Sequence, residues 1–189
     1  MKFNHIAKKI KNKNITLFTT KDFQQITGLS QTGAWAALGR YQKQNLIKSP
    51  KKGLYYIDDT PPQQYLLANK LYSPSYISFE TALSYYSIIP EVIYSITSAT
   101  TKITREFKTV EKTFTYFKIK SQAFAGYQKK ENYLIAEPEK ALADYLYFVA
   151  LGKKSLNDRL NLTNLNQKKL TSYVNLFNYP KLNQLTTTL

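Results

Sequence analysis

The chain has no cysteine, a single histidine, a single tryptophan and only six glycines in 189 residues. Without thiols there is no disulfide framework and no thiolate metal site, and His5 alone cannot build an imidazole cluster. No glycine-rich phosphate loop and no GxSxG elbow occurs, and a cysteine nucleophile is excluded outright. The opening "MKFNHIAKKIKNKN" holds no apolar core of signal-peptide length, and no later run approaches the roughly 18 apolar residues of a membrane span. The expectation is a cytoplasmic protein with no metal and no cofactor. Acidic residues are the last scarcity: 12 Asp and Glu stand against 27 Lys and Arg, a formal charge of +15.

A charge of that size points to an anionic partner, with nucleic acid first, against the blander reading of a solvated basic surface. An A+T-rich genome also enriches Lys, Asn, Ile and Tyr, so where the charge sits is more informative than its total. Residues 1–60 carry eleven basic and three acidic side chains, residues 61–152 ten and eight, and residues 153–189 six and one. The excess lies at the two ends.

The clearest boundary is "DDTPPQQ", where Asp58, Asp59, Pro61 and Pro62 interrupt helix and strand patterns alike. Two domains follow, 1–60 and 61–189, with 153–189 a helical C-terminal extension. Beyond the junction "QQYLLANKLY" and "YISFETALSYYSII" read as helices, the second with Ser78 placed to cap it and Pro90 to stop it. Residues 92–120 change period and suit strands; in "TFTYFKIK" alternation predicts a half-buried strand with one apolar face and one ending in lysines. "NYLIA" is a further strand, and "EPEKALADYLYFVAL" a helix with Pro138 early and Gly152 at its end. "SLNDRLNL" and "NQKKLTSYVNLFN" read as short polar helices before a Thr-rich tail. The fold class expected is α+β: an N-terminal winged helix-turn-helix, then a mixed α/β C-terminal domain with a small antiparallel sheet flanked by helices.

The N-terminal expectation rests on "TTKDFQQITGLSQTGAWAALGRYQKQNLIKSPKKGLYYI". Thr20 is placed to cap the helix "KDFQQIT", Gly28 to end it in the left-handed conformation, and Ser30 to cap the next helix. In that second helix Ala34, Leu38 and Tyr41 recur at i, i+4 and i+7 and pack inward with Phe23, Ile26 and Leu29. Thr32, Ala36, Gly39 and Lys43 then face outward, flanked by Trp35 and Arg40. Such a surface suits a major groove: the small residues permit close approach, and Gln31, Thr32 and Arg40 reach phosphates or base edges. A hairpin with Lys51, Lys52 and Gly53 at its tip completes the wing, whose lysines contact phosphates. The DNA-binding candidates are Ser30, Gln31, Thr32, Trp35, Arg40, Lys43, Lys51 and Lys52. Gly33 and Gly39 each lower helix propensity by about 1 kcal/mol relative to Ala. The competing reading of the same motif is a protein-docking adaptor that binds no specific DNA.

Three later strings, "YISFETALSYYSIIPE", "SITSATTKITREFKTVEKTFTYFKI" and "GYQKKENYLIAEPEKALADYLYF", occur in an order that resembles the AbiEi antitoxin family. The resemblance covers most of the chain and includes "FTTKDFQQITGLS" and "KKGLYYI". It implies the antitoxin of a type IV abortive-infection toxin–antitoxin pair, which represses its own operon by binding inverted repeats in its promoter double-stranded DNA. It also implies a monomer or weak dimer, cooperative on DNA, and a nucleotidyltransferase-like AbiEii toxin as functional partner, with direct contact left open. Lys102, Arg105, Lys118 and Lys120 are the candidate antitoxin surface.

"EPEKALAD" offers Glu137, Glu139, Lys140 and Asp144, a set that a metal-dependent nuclease would use. Glu137 and Glu139 equally suit a helix start, Lys140 and Asp144 form an i, i+4 pair, and no strand supplies a further acid. The chain is therefore not expected to be an enzyme.

Overall fold

The computed structural model describes residues 2–189, a mixed α+β chain with eight α-helices and two sheets among those residues. It divides into two compact units, Met1–Leu67 and Ala68–Leu189. No helix among the described residues is long and apolar enough to cross a membrane.

In the first unit, α1 (Phe3–Asn12) buries Ile6 and Ile10, one turn apart on a single stripe. The short strand β1 (Phe18–Thr19) leads into α2 (Thr20–Thr27). Thr19, rather than Thr20, caps α2: its hydroxyl accepts the Asp22 N–H at 3.2 Å while the Asp22 carboxylate accepts the Thr19 N–H at 2.8 Å. That reciprocal pair satisfies two of the orphan donors at the helix start, which moves the boundary back by one residue. Gly28 ends α2 at φ 72°, in the left-handed conformation. Ser30 caps α3 (Gln31–Lys43), its hydroxyl accepting the Gly33 N–H at 3.2 Å. Strands β2 (Ile47–Lys51) and β3 (Leu54–Ile57) form an antiparallel hairpin turning at Lys52 and Gly53, and β1 adds to β3. Ile6, Phe18, Phe23, Ala34, Leu38 and Tyr41 make one apolar core.

Helix α4 (Gln64–Leu71) runs across the division of the chain. In the second unit β4 (Ser75–Ile77) precedes α5 (Phe79–Tyr85), and β5 (Ile96–Thr100), β6 (Arg105–Lys108) and β7 (Thr113–Lys118) follow. Then come β8 (Tyr127–Lys130), β9 (Tyr133–Ala136), α6 (Pro138–Ala150), α7 (Gln167–Asn175) and α8 (Pro180–Thr187). The sheet is neither small nor antiparallel. It has six strands in the order β6-β7-β5-β4-β9-β8, with β4–β9 and β5–β7 parallel. Part of the reason lies in β4, which directly precedes the helix with Ser78 at its cap position and which local pattern does not mark as a strand. All three of its residues are buried, so it shows no alternation, and its partners are β5 and β9, remote in the chain.

Strand β7 does alternate, with Phe114 and Tyr116 buried, Thr113, Thr115 and Phe117 half-buried and Lys118 exposed. Phe114 and Tyr116 are fully buried on one face, where the Tyr116 hydroxyl donates to the Ala68 carbonyl at 2.6 Å. On the other face the Phe117 ring lies 5.0 Å from that of Phe79 and 5.2 Å from that of Phe148, so α5 and α6 cover it. Ser78 occupies the cap position of α5 but makes no cap bond; its hydroxyl donates instead to Asp144. No helix forms over "SLNDRLNL". That segment is pinned by non-local bonds: Tyr145 donates to the Ser155 carbonyl and the Asn161 N–H to that of Ile88, and Arg159 pairs with Glu91. The Thr-rich tail is helical instead, with Pro180 at the start of α8.

Helix α7 is tied to the start of α6 through Glu137, whose carboxylate accepts from the Tyr173 hydroxyl and pairs with Lys169 at 2.8 Å. Burial pushes the Glu137 carboxyl up, but the Lys169 ammonium and the Tyr173 hydroxyl outweigh it and hold the group below its usual range. A depressed folded pKa gives stability that is present above the unfolded value, about 4.3, and lost as pH falls through the folded one. Protection factors of the α7 amides, taken relative to intrinsic exchange at each pH, are therefore expected to fall below about pH 4, and in Glu137→Gln to lose that pH dependence.

Candidate nucleic-acid interface

Helix α3 owes its orientation to Ala34, Ala37, Leu38 and Tyr41, all buried against the first unit's core. This leaves Gln31, Thr32, Trp35, Ala36, Arg40 and Lys43 exposed, with Trp35 at 55%. The outward face is thus one continuous surface carrying five of the eight DNA-binding candidates. Ser30 sits at its N-terminal end, committed through its hydroxyl to the cap. The Arg40 guanidinium lies 5.4 Å from the Tyr41 ring centroid, which steadies its stem beside the face. Lys51 and Lys52 are exposed at the β2–β3 turn.

The two helical glycines have different causes. A Cβ at Gly33 would stand 3.2 Å from the Ser30 hydroxyl, so the cap itself asks for a small residue there. A Cβ at Gly39 would meet nothing within 4 Å.

Charge sharpens the picture. Residues 23–57 contain no acidic side chain and hold Arg40, Lys43, Lys48, Lys51 and Lys52. The first unit's three acids are engaged elsewhere: Asp22 in the α2 cap, Asp59 with Lys11 at 2.8 Å, and Asp58 with Lys48 at 3.7 Å. The Lys11 ammonium and the Thr60 hydroxyl hold the Asp59 carboxyl below its usual range. Of the cations in 23–57, Lys48 is paired with a carboxylate of the first unit, and Arg40, Lys43, Lys51 and Lys52 carry the positive potential over α3 and the turn.

The residues expected to form an antitoxin surface fall in different settings. Lys102 and Arg105 meet over one ring, the Lys102 ammonium 5.4 Å and the Arg105 guanidinium carbon 5.7 Å from the centroid of Tyr72. Lys102 also donates to the Ser73 carbonyl at 2.5 Å. The Lys118 side chain is exposed at the end of β7. Lys120 donates to the carbonyls of Phe177 at 2.6 Å and Asn178 at 3.3 Å, so it closes the turn after α7.

The acids of "EPEKALAD" do not converge on an open site. Glu137 holds Tyr173 and Lys169, and buried Glu139 accepts the Asn166 N–H at 3.0 Å. Lys140 and Asp144 form an ion pair with both side chains at zero exposure, and Asp144 also accepts from Tyr76 at 2.9 Å and Ser78 at 2.7 Å. Among the described residues, no three His, Cys, Asp or Glu side chains gather where an ion would be held. Local pattern does not show the roles of Tyr72, Tyr76 and Ser78, whose partners lie 31 to 68 residues away. The openness at Gly39 also escaped it, because periodicity places a residue on a face without saying what a larger side chain would touch. No protein-family model matches the chain, and no curated protein matches it.

Proposed function

We propose that the chain is the antitoxin and autorepressor of a type IV abortive-infection pair, its first unit a winged helix-turn-helix that binds inverted repeats in its own promoter. The observation that carries the DNA-binding half is the acid-free span 23–57, in which the outward face of α3 and the turn lysines present only small, polar and basic groups around Trp35. Helix α3 enters the major groove; Gln31, Thr32 and Arg40 reach base edges, and Lys43, Lys51 and Lys52 meet phosphates. The N-terminus of α3 adds N–H groups that favour a phosphate. Phosphate contacts supply affinity and register, and base edges supply choice. The antitoxin half rests on the resemblance of the 76–148 strings to the AbiEi family, and it sets the second unit against a nucleotidyltransferase-like toxin.

Each half has its own test. In gel shifts the full chain is expected to retard the duplex upstream of its own gene at protein concentrations that leave a scrambled repeat free; equal retardation of both overturns the repressor half. Co-expression with a nucleotidyltransferase-like reading frame immediately downstream is expected to restore colony formation, and continued growth arrest overturns the antitoxin half. A protein that co-purifies with the chain while no duplex shifts at moderate salt favours the docking adaptor.

A further inference from the structure

The outward face of α3 holds two features that the first unit's own packing does not use. The only tryptophan of the chain, Trp35, is 55% exposed. One turn later stands Gly39, where an added Cβ meets open space and the backbone is not left-handed. A glycine inside a helix costs about 1 kcal/mol against alanine, and nothing internal requires it at 39. Its smallness serves whatever approaches the helix from outside. The i, i+4 spacing sets the indole beside this notch, with exposed Thr32 and Ala36 on the same surface.

Resting on the DNA-binding reading above, we propose that Trp35 and the notch at Gly39 read the 5-methyl groups of thymine in the major groove. Thymine's methyl is the one apolar group among the base edges there. The strip Thr32–Trp35–Ala36 offers a methyl, an indole ring and a methyl, an apolar surface suited to that group. Gly39 lets the thymine-bearing strand come against the helix backbone beside the indole. Gln31 and Arg40, the hydrogen-bonding readers, flank the strip; their geometry suits adenine and guanine respectively. The acid-free span around them supplies the charge complementarity that selects a polyanion over another protein. The specificity that follows is for sites in which thymines line the centre of each half-site.

The test uses the full chain and duplexes it recovers from a random-sequence pool. Those duplexes are remade with deoxyuridine in place of thymidine, which removes the methyl groups and nothing else. Wild type is expected to lose about fourfold in affinity per contacted methyl, the factor that corresponds to one buried methyl group. Trp35→Ala is expected to bind the thymidine and deoxyuridine duplexes equally. Gly39→Ala is expected to raise the melting temperature while weakening the selected complexes. Equal binding of thymidine and deoxyuridine duplexes by wild type overturns the thymine readout and leaves DNA binding intact. Failure to bind any duplex at low salt removes the reading beneath it. Deoxyuridine insensitivity together with a dimer that Trp35→Ala dissolves in light scattering assigns the indole to a second copy of the chain instead. A stabilised Gly39→Ala with unchanged affinity overturns the notch.

Discussion

Asp144→Ala is expected to destabilise the second unit by about 3–5 kcal/mol, enough to shift its urea midpoint far below that of wild type. Asp144 is fully buried in α6 and accepts from three donors: the Lys140 ammonium, the Tyr76 hydroxyl and the Ser78 hydroxyl. Truncation leaves a fully buried cation without its counter-charge and two buried hydroxyls without an acceptor. Burial pushes the Asp144 carboxyl up and the Lys140 ammonium down, both toward the neutral form. The ionised pair is therefore a cost that the fold carries, offset by the donors around it and by the Phe177 ring 4.6 Å from the ammonium. Burial, together with the adjacent carboxylate, also pushes the Tyr76 hydroxyl well above its ordinary range.

Companion variants separate charge from hydrogen bonding. Lys140→Met in the Asp144→Ala background removes the stranded cation and is expected to recover part of the loss, though not all, because Tyr76 and Ser78 still lack an acceptor. Adding Tyr76→Phe recovers a further share of about 1–3 kcal/mol. A single Asp144→Ala within 1 kcal/mol of wild type in urea unfolding would show that the pair does not hold the α6–β4 junction together.

The second large effect is on DNA. Full-chain affinity for its promoter duplex is expected to fall by roughly a thousandfold or more between 50 and 200 mM salt, the range for proteins that neutralise about six to ten phosphates. Lys51→Ala and Lys52→Ala are each expected to weaken all duplexes alike and to lower the log–log salt slope by about 1. Arg40→Ala is expected to behave differently, costing about 1–3 kcal/mol on the preferred sequence and relaxing discrimination at one base pair. The contrast follows from position: Arg40 stands on the outward face of α3, whereas the two lysines sit on the β2–β3 turn. Fluorescence anisotropy on matched and single-mismatch duplexes at several salt concentrations reads both. An affinity independent of salt would contradict the proposed interface as a whole.

The pattern of what was legible in the sequence has a physical cause. Wherever structure depends on neighbours a few residues apart, the chain announced it: Gly28 as a left-handed stop, Ser30 as a cap, the Lys52–Gly53 turn, and the inward stripe of Ala34, Leu38 and Tyr41. The one-residue slip from Thr20 to Thr19 shows the limit of that reading, since the true cap was decided by which hydroxyl could trade bonds with Asp22. Where structure depends on remote partners, local pattern misled. Ser75–Ile77, just ahead of the helix with Ser78 at its cap position, shows no strand alternation, yet pairing with β5 on one side and β9 on the other places it inside a sheet. "SLNDRLNL" has helix-like spacing, yet bonds to Tyr145, Ile88 and Glu91 hold it in irregular structure with a turn at Asp158 and Arg159.

By itself, then, the sequence determined the basic ends, the lack of thiol chemistry, the two helices and hairpin that follow Thr19, and the residues that α3 turns outward. Only the tertiary structure decided that the sheet is six-stranded and mixed, that Lys140 and Asp144 are buried rather than solvated, that Lys120 closes a turn, and that Gly39 opens on empty space. Caps, turns and helical stripes are fixed by contacts within a turn or two of chain. Strand order, burial and open space depend on which distant segments arrive beside a residue, and no local pattern encodes that.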